Sequence, residues 1–179
     1  MKQEEKEYKA VKAPIRKKEA TGVLKEILEE VDKELLLKDL SARLPYGVKV
    51  QFKLPDHRNK VFTEEIGELQ SINKYGEVSI NSKGIDYRFI QLDCKPYLRP
   101  MSSMTKEEIN TLKGYIDDPY EQIAFSEDGM RFNGRNSFVV PYKVMSICID
   151  FCYSHHLDFR GLIQKGIALE AKEGMYKFE

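Results

Sequence analysis

The chain has 179 residues, and its 29 Lys and Arg balance 29 Asp and Glu, so the formal net charge is zero. That balance argues against broad electrostatic capture of nucleic acid or acidic lipid and leaves only local patches open. Three cysteines make no disulfide framework and no apolar run is long enough to span a membrane; with a charged N-terminus that lacks a signal-peptide apolar core, this predicts a reduced, cytoplasmic protein with one good core.

Residues 1–22 are rich in Lys, Glu, Gln and Ala with few large apolar side chains. Such a segment gains little by burial, which predicts a flexible charged arm or an exposed helix. Lys12, Arg16, Lys17 and Lys18 form a basic cluster there, to be read as a solvated tail or as a contact for phosphate or an acidic partner.

Residues 23–46 predict an N-terminal helix. Leu24, Ile27, Leu28, Val31 and Leu35 recur at spacings of three and four, with Thr21 as the expected N-cap and Pro45 and Gly47 as the stop. Leu36, Leu37 and Leu40 widen the apolar stripe beyond one face. A stripe that wide asks for two surfaces: the sheet, and another helix or a second subunit. The heptad run is too brief for a coiled coil.

Residues 47–104 predict an antiparallel meander. Val48, Val50, Phe52 and Leu54 alternate with polar residues up to Pro55. Gly67 interrupts the next run and suggests a bulge. Two Asn-to-Gly turns, residues 73–76 and 81–84, bracket Val78 and Ile80. Ile85, Tyr87 and Phe89 follow, and a phase shift carries the pattern through Ile90 and Leu92 to Cys94. A sheet this small either curls into an SH3-like barrel or takes helices across one face. Pro96 and Pro100 restrict the next stretch to an extended path, where Tyr97, Leu98, Met101 and Met104 are expected to cover the open end of the sheet.

Residues 105–179 predict helices and a hairpin packed on that sheet. Thr105 and Glu108 form a capping box for a helix carrying Ile109, Leu112 and Ile116 on one face. Asp128-Gly129 marks a hairpin. A further helix follows Pro141 to about Ser154, and Asp158 is expected to cap a last short helix from Phe159 to Gln164. From residue 23 on, the chain reads as one continuous domain.

The segments Leu35–Val50, Lys95–Thr105 and His155–Tyr176, with the phrases LLLKDLSARLPYGVKV, KPYLRPMSSMT and HHLDFRGLIQKGIALEA, resemble a family of uncharacterised proteins carried by gut anaerobic bacteria, their phages and mobile elements. The likeness spans much of the chain after the arm. It implies a cytoplasmic, phage- or prophage-linked setting and no catalytic residue.

Cys148, Cys152, His155 and His156 form the only sequence cluster with metal-ligand residue types. A single helix cannot wrap a tetrahedron, so Cys94, His57 or carboxylates would have to complete it, and the reading without metal has two core cysteines at a polar helix end. No metal or cofactor is expected. The loop carrying His155, His156, Asp158 and Arg160 is the first candidate binding site, with imidazoles able to exchange protons near neutrality and a guanidinium able to grip an anion. The competing reading makes Asp158 a cap, has Arg160 bridge to it or to a backbone carbonyl, and places His156 at a helix terminus. Tyr97 and Arg99 join this candidate set. Tyr75, Tyr87 and Arg88 make the nucleic-acid alternative, in which aromatics stack bases beside cations. No nucleophile elbow, phosphate loop or dinucleotide fingerprint occurs. The expectation is an α+β protein acting as a non-enzymatic protein-interaction module through a protein partner or self-association, with nucleic-acid binding as the alternative.

Overall fold

A computed structural model describes residues 17–56, 61–89, 94–116, 123–126, 129–132 and 142–177. Helix α1 spans Lys17–Arg43 and is followed by a 3-10 turn at Leu44–Tyr46. The helix starts earlier than periodicity alone suggested, and Thr21 lies inside it rather than at its cap. Glu19 and Ala20 are good helix formers, and no proline stands between Lys17 and Arg43. Gly47, at φ 67°, turns the chain into the sheet.

Strands β1 (Lys49–Asp56), β2 (Val61–Ile72), β3 (Val78–Ser82), β4 (Ile85–Phe89), β5 (Cys94–Leu98) and, near the C-terminus, β8 (Leu169–Glu170) form one sheet in the order β4-β3-β2-β1-β5-β8. All its pairings are antiparallel except β5 with β8. The sheet is not closed, so the barrel alternative gives way to an open α+β architecture. The outer edge of β5 is taken by β8 instead of returning to β4. Tyr97 and Leu98 are therefore members of the sheet, not a cover over its end.

The bulge lies two to four residues beyond the glycine that suggested it. Register is continuous through Gly67, opposite Val50, and shifts between Leu69 and Ser71. The extra residue lets Leu69 and Ile72, three apart, both join the core. Gly67 answers a different need. A Cβ there would lie 2.5 Å from Ile80 Cγ2 and 2.6 Å from the Asn81 carbonyl oxygen.

Leu36 and Leu40 of α1 pack on Val48, Val50, Phe52, Leu69, Val78 and Ile80. Helices α2 (Lys106–Ile116) and α3 (Tyr142–Ser154) share a second core, in which Leu112, Cys148, Phe151 and Cys152 meet Met101 and Leu157. Hairpin β6–β7 (Ile123–Ser126 and Gly129–Phe132) pairs only with itself; its turn residues Glu127 and Asp128 lie outside the described residues. The capping box forms as expected. Thr105 Oγ1 accepts from the Glu108 amide at 3.2 Å and Glu108 Oε2 accepts from the Thr105 amide at 2.7 Å. Residues 159–164 form successive turns instead of a helix, because Gly161 takes φ 68° and breaks the helical path.

Candidate functional site

The candidate residues between His155 and Arg160 sit where the C-terminal ends of α1 and α3 meet β5 and the C-terminal tail. Helix α3 closes with a Schellman arrangement. The Leu157 amide donates to the Cys152 carbonyl at 2.8 Å and the His156 amide to the Tyr153 carbonyl at 3.1 Å. The left-handed position of that motif is occupied by His156, at φ 54°, where glycine is the usual residue. A side chain held there needs compensating contacts. The His156 ring supplies one, stacked on Tyr176 with centroids 3.8 Å apart and planes 22° from parallel.

The same helix end is held from α1. Arg43 donates to the Leu157 carbonyl at 2.9 Å and the Cys152 carbonyl at 3.4 Å, placing a cation at the negative end of the α3 dipole. Its Nε donates to Asp39 Oδ2 at 2.6 Å, and Nη2 lies 3.3 Å from Asp39 Oδ1. Both side chains are fully buried. Arg160 adds a second cation, with Nε 3.6 Å from Asp39 Oδ1 and Nη2 donating to the Tyr153 hydroxyl. Both guanidinium groups lie over the Tyr153 ring, at 5.1 and 5.8 Å. Arg160 thus bridges to α1, not to Asp158.

Asp158 is buried, and its two carboxylate oxygens accept the amides of Leu162 and Ile163, each at 2.8 Å. It pins a turn rather than capping a helix. Arg99 clasps Glu108 in a two-point ion pair, at 2.7 and 2.9 Å, and also donates to the Ser103 carbonyl. Burial pushes the Glu108 carboxyl up, but the Arg99 and Thr105 hydrogen bonds outweigh it and leave the group below its usual range. Tyr97 is buried, and its carbonyl accepts from the Tyr176 hydroxyl at 2.8 Å. That hydroxyl also accepts from the Lys49 amide at 3.0 Å, so it stands between β1 and β5 where the direct ladder has ended.

The two histidines differ in kind. His155 stacks on Phe151 at 3.8 Å, and its Nδ1 lies 3.0 Å from both the Phe151 carbonyl and Ser154 Oγ. It lines a cleft of about 640 Å³ between α2 and α3 with Tyr46, Glu107, Tyr115 and Asp150. His156 is buried. Burial, followed by the positive charge of Arg43, pushes its imidazole down to about 3, against the pull of a hydrogen bond to the Tyr46 backbone. It is neutral at pH 7, which corrects the expectation that this imidazole exchanges protons near neutrality.

Cys148 and Cys152 face the α2–α3 core, and burial pushes the Cys152 thiol up to about 11 and the Cys148 thiol upward as well. Cys94 lies apart, in the core of the sheet. His57 lies outside the described residues. Among the described residues no three His, Cys, Asp or Glu converge as metal ligands.

The nucleic-acid set is dispersed. Tyr75 is 74% exposed at the tip of the β2–β3 turn. Tyr87 turns inward, its ring 5.5 Å from that of Phe52. Arg88, its neighbour in β4, points to the opposite face and lines a cleft of about 470 Å³ with Asn73, Glu77 and Phe89. The structure does not bring the three together on one surface.

The sequence reading passed over Asp39, Arg43 and Tyr176. For the first two a signal was present: two opposite charges four residues apart, on the same helical face as Leu36 and Leu40. Tyr176 carried no comparable signal, being one aromatic in a polar tail.

A different feature of α1 faces outward. Residues 26–31 are all exposed, among them Ile27, Leu28 and Val31 at 53%, 62% and 53%. Further along, Leu35 packs against the buried cluster of Leu98, Leu162 and Ala168, and Asp32 pairs with Lys165 at 3.2 Å. The apolar stripe therefore continues past the point where the body of the protein stops covering it. Among the described residues no helix is long and apolar enough to cross a membrane. Comparison with protein-family models, curated proteins and solved structures finds no match.

Proposed function

We propose that this protein is a non-enzymatic interaction module whose docking element is the outer part of α1. One observation carries the reading: three large aliphatic side chains, Ile27, Leu28 and Val31, stand more than half exposed on adjoining positions of one helix. Covering the exposed half of each gains on the order of 1 kcal/mol, which gives a partner a driving force of a few kcal/mol over the three. The ties around the first candidate binding site, with Asp39 and Arg43 of α1 added to them, support the same reading in another way. Asp39, Arg43, Asp158, Arg160, Arg99 and Tyr97 are engaged in ties that hold the α1 base, the α3 end and the tail together, so α1 is anchored firmly at one end.

A cytoplasmic setting linked to a phage or mobile element is part of the proposal and rests on the sequence resemblance. The nucleic-acid reading has less behind it, since Tyr87 and Arg88 lie on opposite faces of β4.

The test compares the native chain with a Leu28→Ser/Val31→Ser variant, both expressed in the native host and recovered under identical conditions. A stoichiometric protein partner held by the native chain and lost from an equally stable variant is expected. Identical recoveries from both would overturn the reading.

A further inference from the structure

We infer that β4 is the edge at which two copies of this chain pair, antiparallel and about a two-fold axis at Tyr87, joining their six-stranded sheets. This surface is separate from the α1 strip, and the inference goes beyond the interaction reading above. The two ends of the sheet differ. The far side of β5 is taken by β8, whereas β4 ends the order, and among the described residues no strand lies on its outer side. Free edges are commonly blunted by proline, lysine or a bulge. Strand β4 reads Ile85-Asp86-Tyr87-Arg88-Phe89, contains neither proline nor lysine, and pairs with β3 in continuous register along its whole length. The turn before it is Lys83-Gly84, both at positive φ, which makes a two-residue hairpin closed by Ser82 and Ile85. Counting from that closing pair, the backbones of Ile85, Tyr87 and Phe89 turn toward β3, and the N–H and C=O groups of Asp86 and Arg88 turn outward.

One register suits a second copy. With Tyr87 opposite Tyr87, Asp86 faces Arg88 of the second copy, and Arg88 faces its Asp86. Both positions have outward backbone, so each pair exchanges two N–H···O bonds and sets opposite charges side by side. Both side chains are exposed. One Asp86 oxygen accepts from Asn81 at 2.7 Å, which leaves the other for a cation. Arg88 has no ion-pair partner among the described residues, and Glu77, which lines the same cleft, accepts from Asn73. Sliding the strands by two residues opposes Asp86 to Asp86 or Arg88 to Arg88, and sliding by one opposes outward backbone to inward. On the other face Ile85, 55% exposed, meets Phe89 of the second copy. Tyr87 and Phe89 already pack against the sheet core, so the apolar layer continues across the axis. An unrelated strand would need this order of charges by coincidence, whereas a second copy supplies it by symmetry.

The experiment follows the mass of the full chain by sedimentation equilibrium up to about 0.5 mM, a range that reveals even a weak pair. A monomer–dimer equilibrium is expected. Asp86→Arg and Arg88→Asp should each weaken it about tenfold or more, because each sets like charges opposite one another on both sides of the axis. Asp86→Arg/Arg88→Asp together restore opposite charges and should return the dimer to within about threefold of the native chain. In the native chain, hydrogen exchange at the Asp86 and Arg88 amides should slow as concentration rises, while exchange at Tyr87, already bonded to β3, stays constant. That measurement needs no variant. Leu28→Ser/Val31→Ser should leave the dimer unchanged. A dimer indifferent to the single charge variants, or not restored by the double one, overturns the inference. So does a dimer that dissociates in the Leu28→Ser/Val31→Ser variant, which would assign self-association to α1. A chain that stays monomeric, with exchange at Asp86 and Arg88 independent of concentration, overturns it too. That last result leaves the α1 reading standing, because a different protein, held through Leu28 and Val31, tests that one.

Discussion

Asp39 and Arg43, one turn apart on α1, form an ion pair from which solvent is excluded on both sides. A pair in that setting is marginal as a net gain, because both charges are desolvated, but breaking it is costly. Arg43 has a further task in satisfying carbonyls at the end of α3. Arg43→Met should therefore destabilise the fold by about 3–5 kcal/mol, leaving the Asp39 carboxylate beside Arg160 alone. Asp39→Asn should cost a comparable amount. The double variant should cost clearly less than the sum, since neither charge is left stranded. Urea unfolding of the four proteins checks this, and additive losses would show that the two residues act independently.

Stability should fall on mild acidification, with His156 as one source. Its imidazole is held near 3 in the folded state, against an ordinary value of 6.5. Between those limits the unfolded chain binds the proton and the folded chain does not, so unfolding is favoured as pH falls through that window. Above about pH 6.5 this contribution is complete and flat. From pH 7 to pH 5 it amounts to a loss of about 2 kcal/mol. His156→Asn keeps a side chain that tolerates the left-handed backbone and removes the titration. Its stability should decline less steeply over that range, and parallel curves for the two proteins would reject the assignment.

Tyr176 tests whether the tail is a working part of the sheet. Its hydroxyl joins the Lys49 amide to the Tyr97 carbonyl, and its ring covers His156. Tyr176→Phe retains the ring and leaves both backbone groups unpaired, at a cost of about 1–3 kcal/mol. Hydrogen exchange at the Lys49 amide should accelerate while exchange in β3 stays unchanged. Tyr176→Ala should cost more, since it also uncovers His156.

Two glycines should respond differently to alanine. At Gly67 the added methyl would collide with Ile80 and the backbone of Asn81, so Gly67→Ala should destabilise by about 1–3 kcal/mol or prevent folding. Gly84 sits at φ +80° with nothing within 4 Å of an added Cβ. Gly84→Ala therefore costs only backbone strain, about 1–2 kcal/mol. Thermal unfolding of both variants, with Gly114→Ala as a control in open space within α2, provides the comparison.

Much of this protein follows from local rules. Alternation from Val48 to Leu54, the Asn-to-Gly turns, the box between Thr105 and Glu108 and the spacing in α3 each encode an element, because each rests on contacts a few residues apart. The α+β class follows from the same patterns. What local rules did not supply is pairing at a distance. Whether the sheet closed depended on residues 169–170 reaching β5, more than 70 positions away from it in the chain. The bulge fell beyond Gly67 because the fit of Leu69 and Ile72 against β3 decided it, and Gly67 was needed for close approach to Ile80. The candidate residues from Tyr97 to Arg160 were rightly conspicuous in their chemistry, but their tasks came from partners far along the chain: Asp39 for Arg160, Tyr176 for His156 and Tyr97. The sequence by itself determined α2, α3, the main strands and the wide apolar stripe of α1, but neither β8 nor the turns at residues 159–164, since periodicity acts within a few residues. Only the tertiary structure decided which part of that stripe is buried and which part is exposed, because burial is a property of what packs alongside.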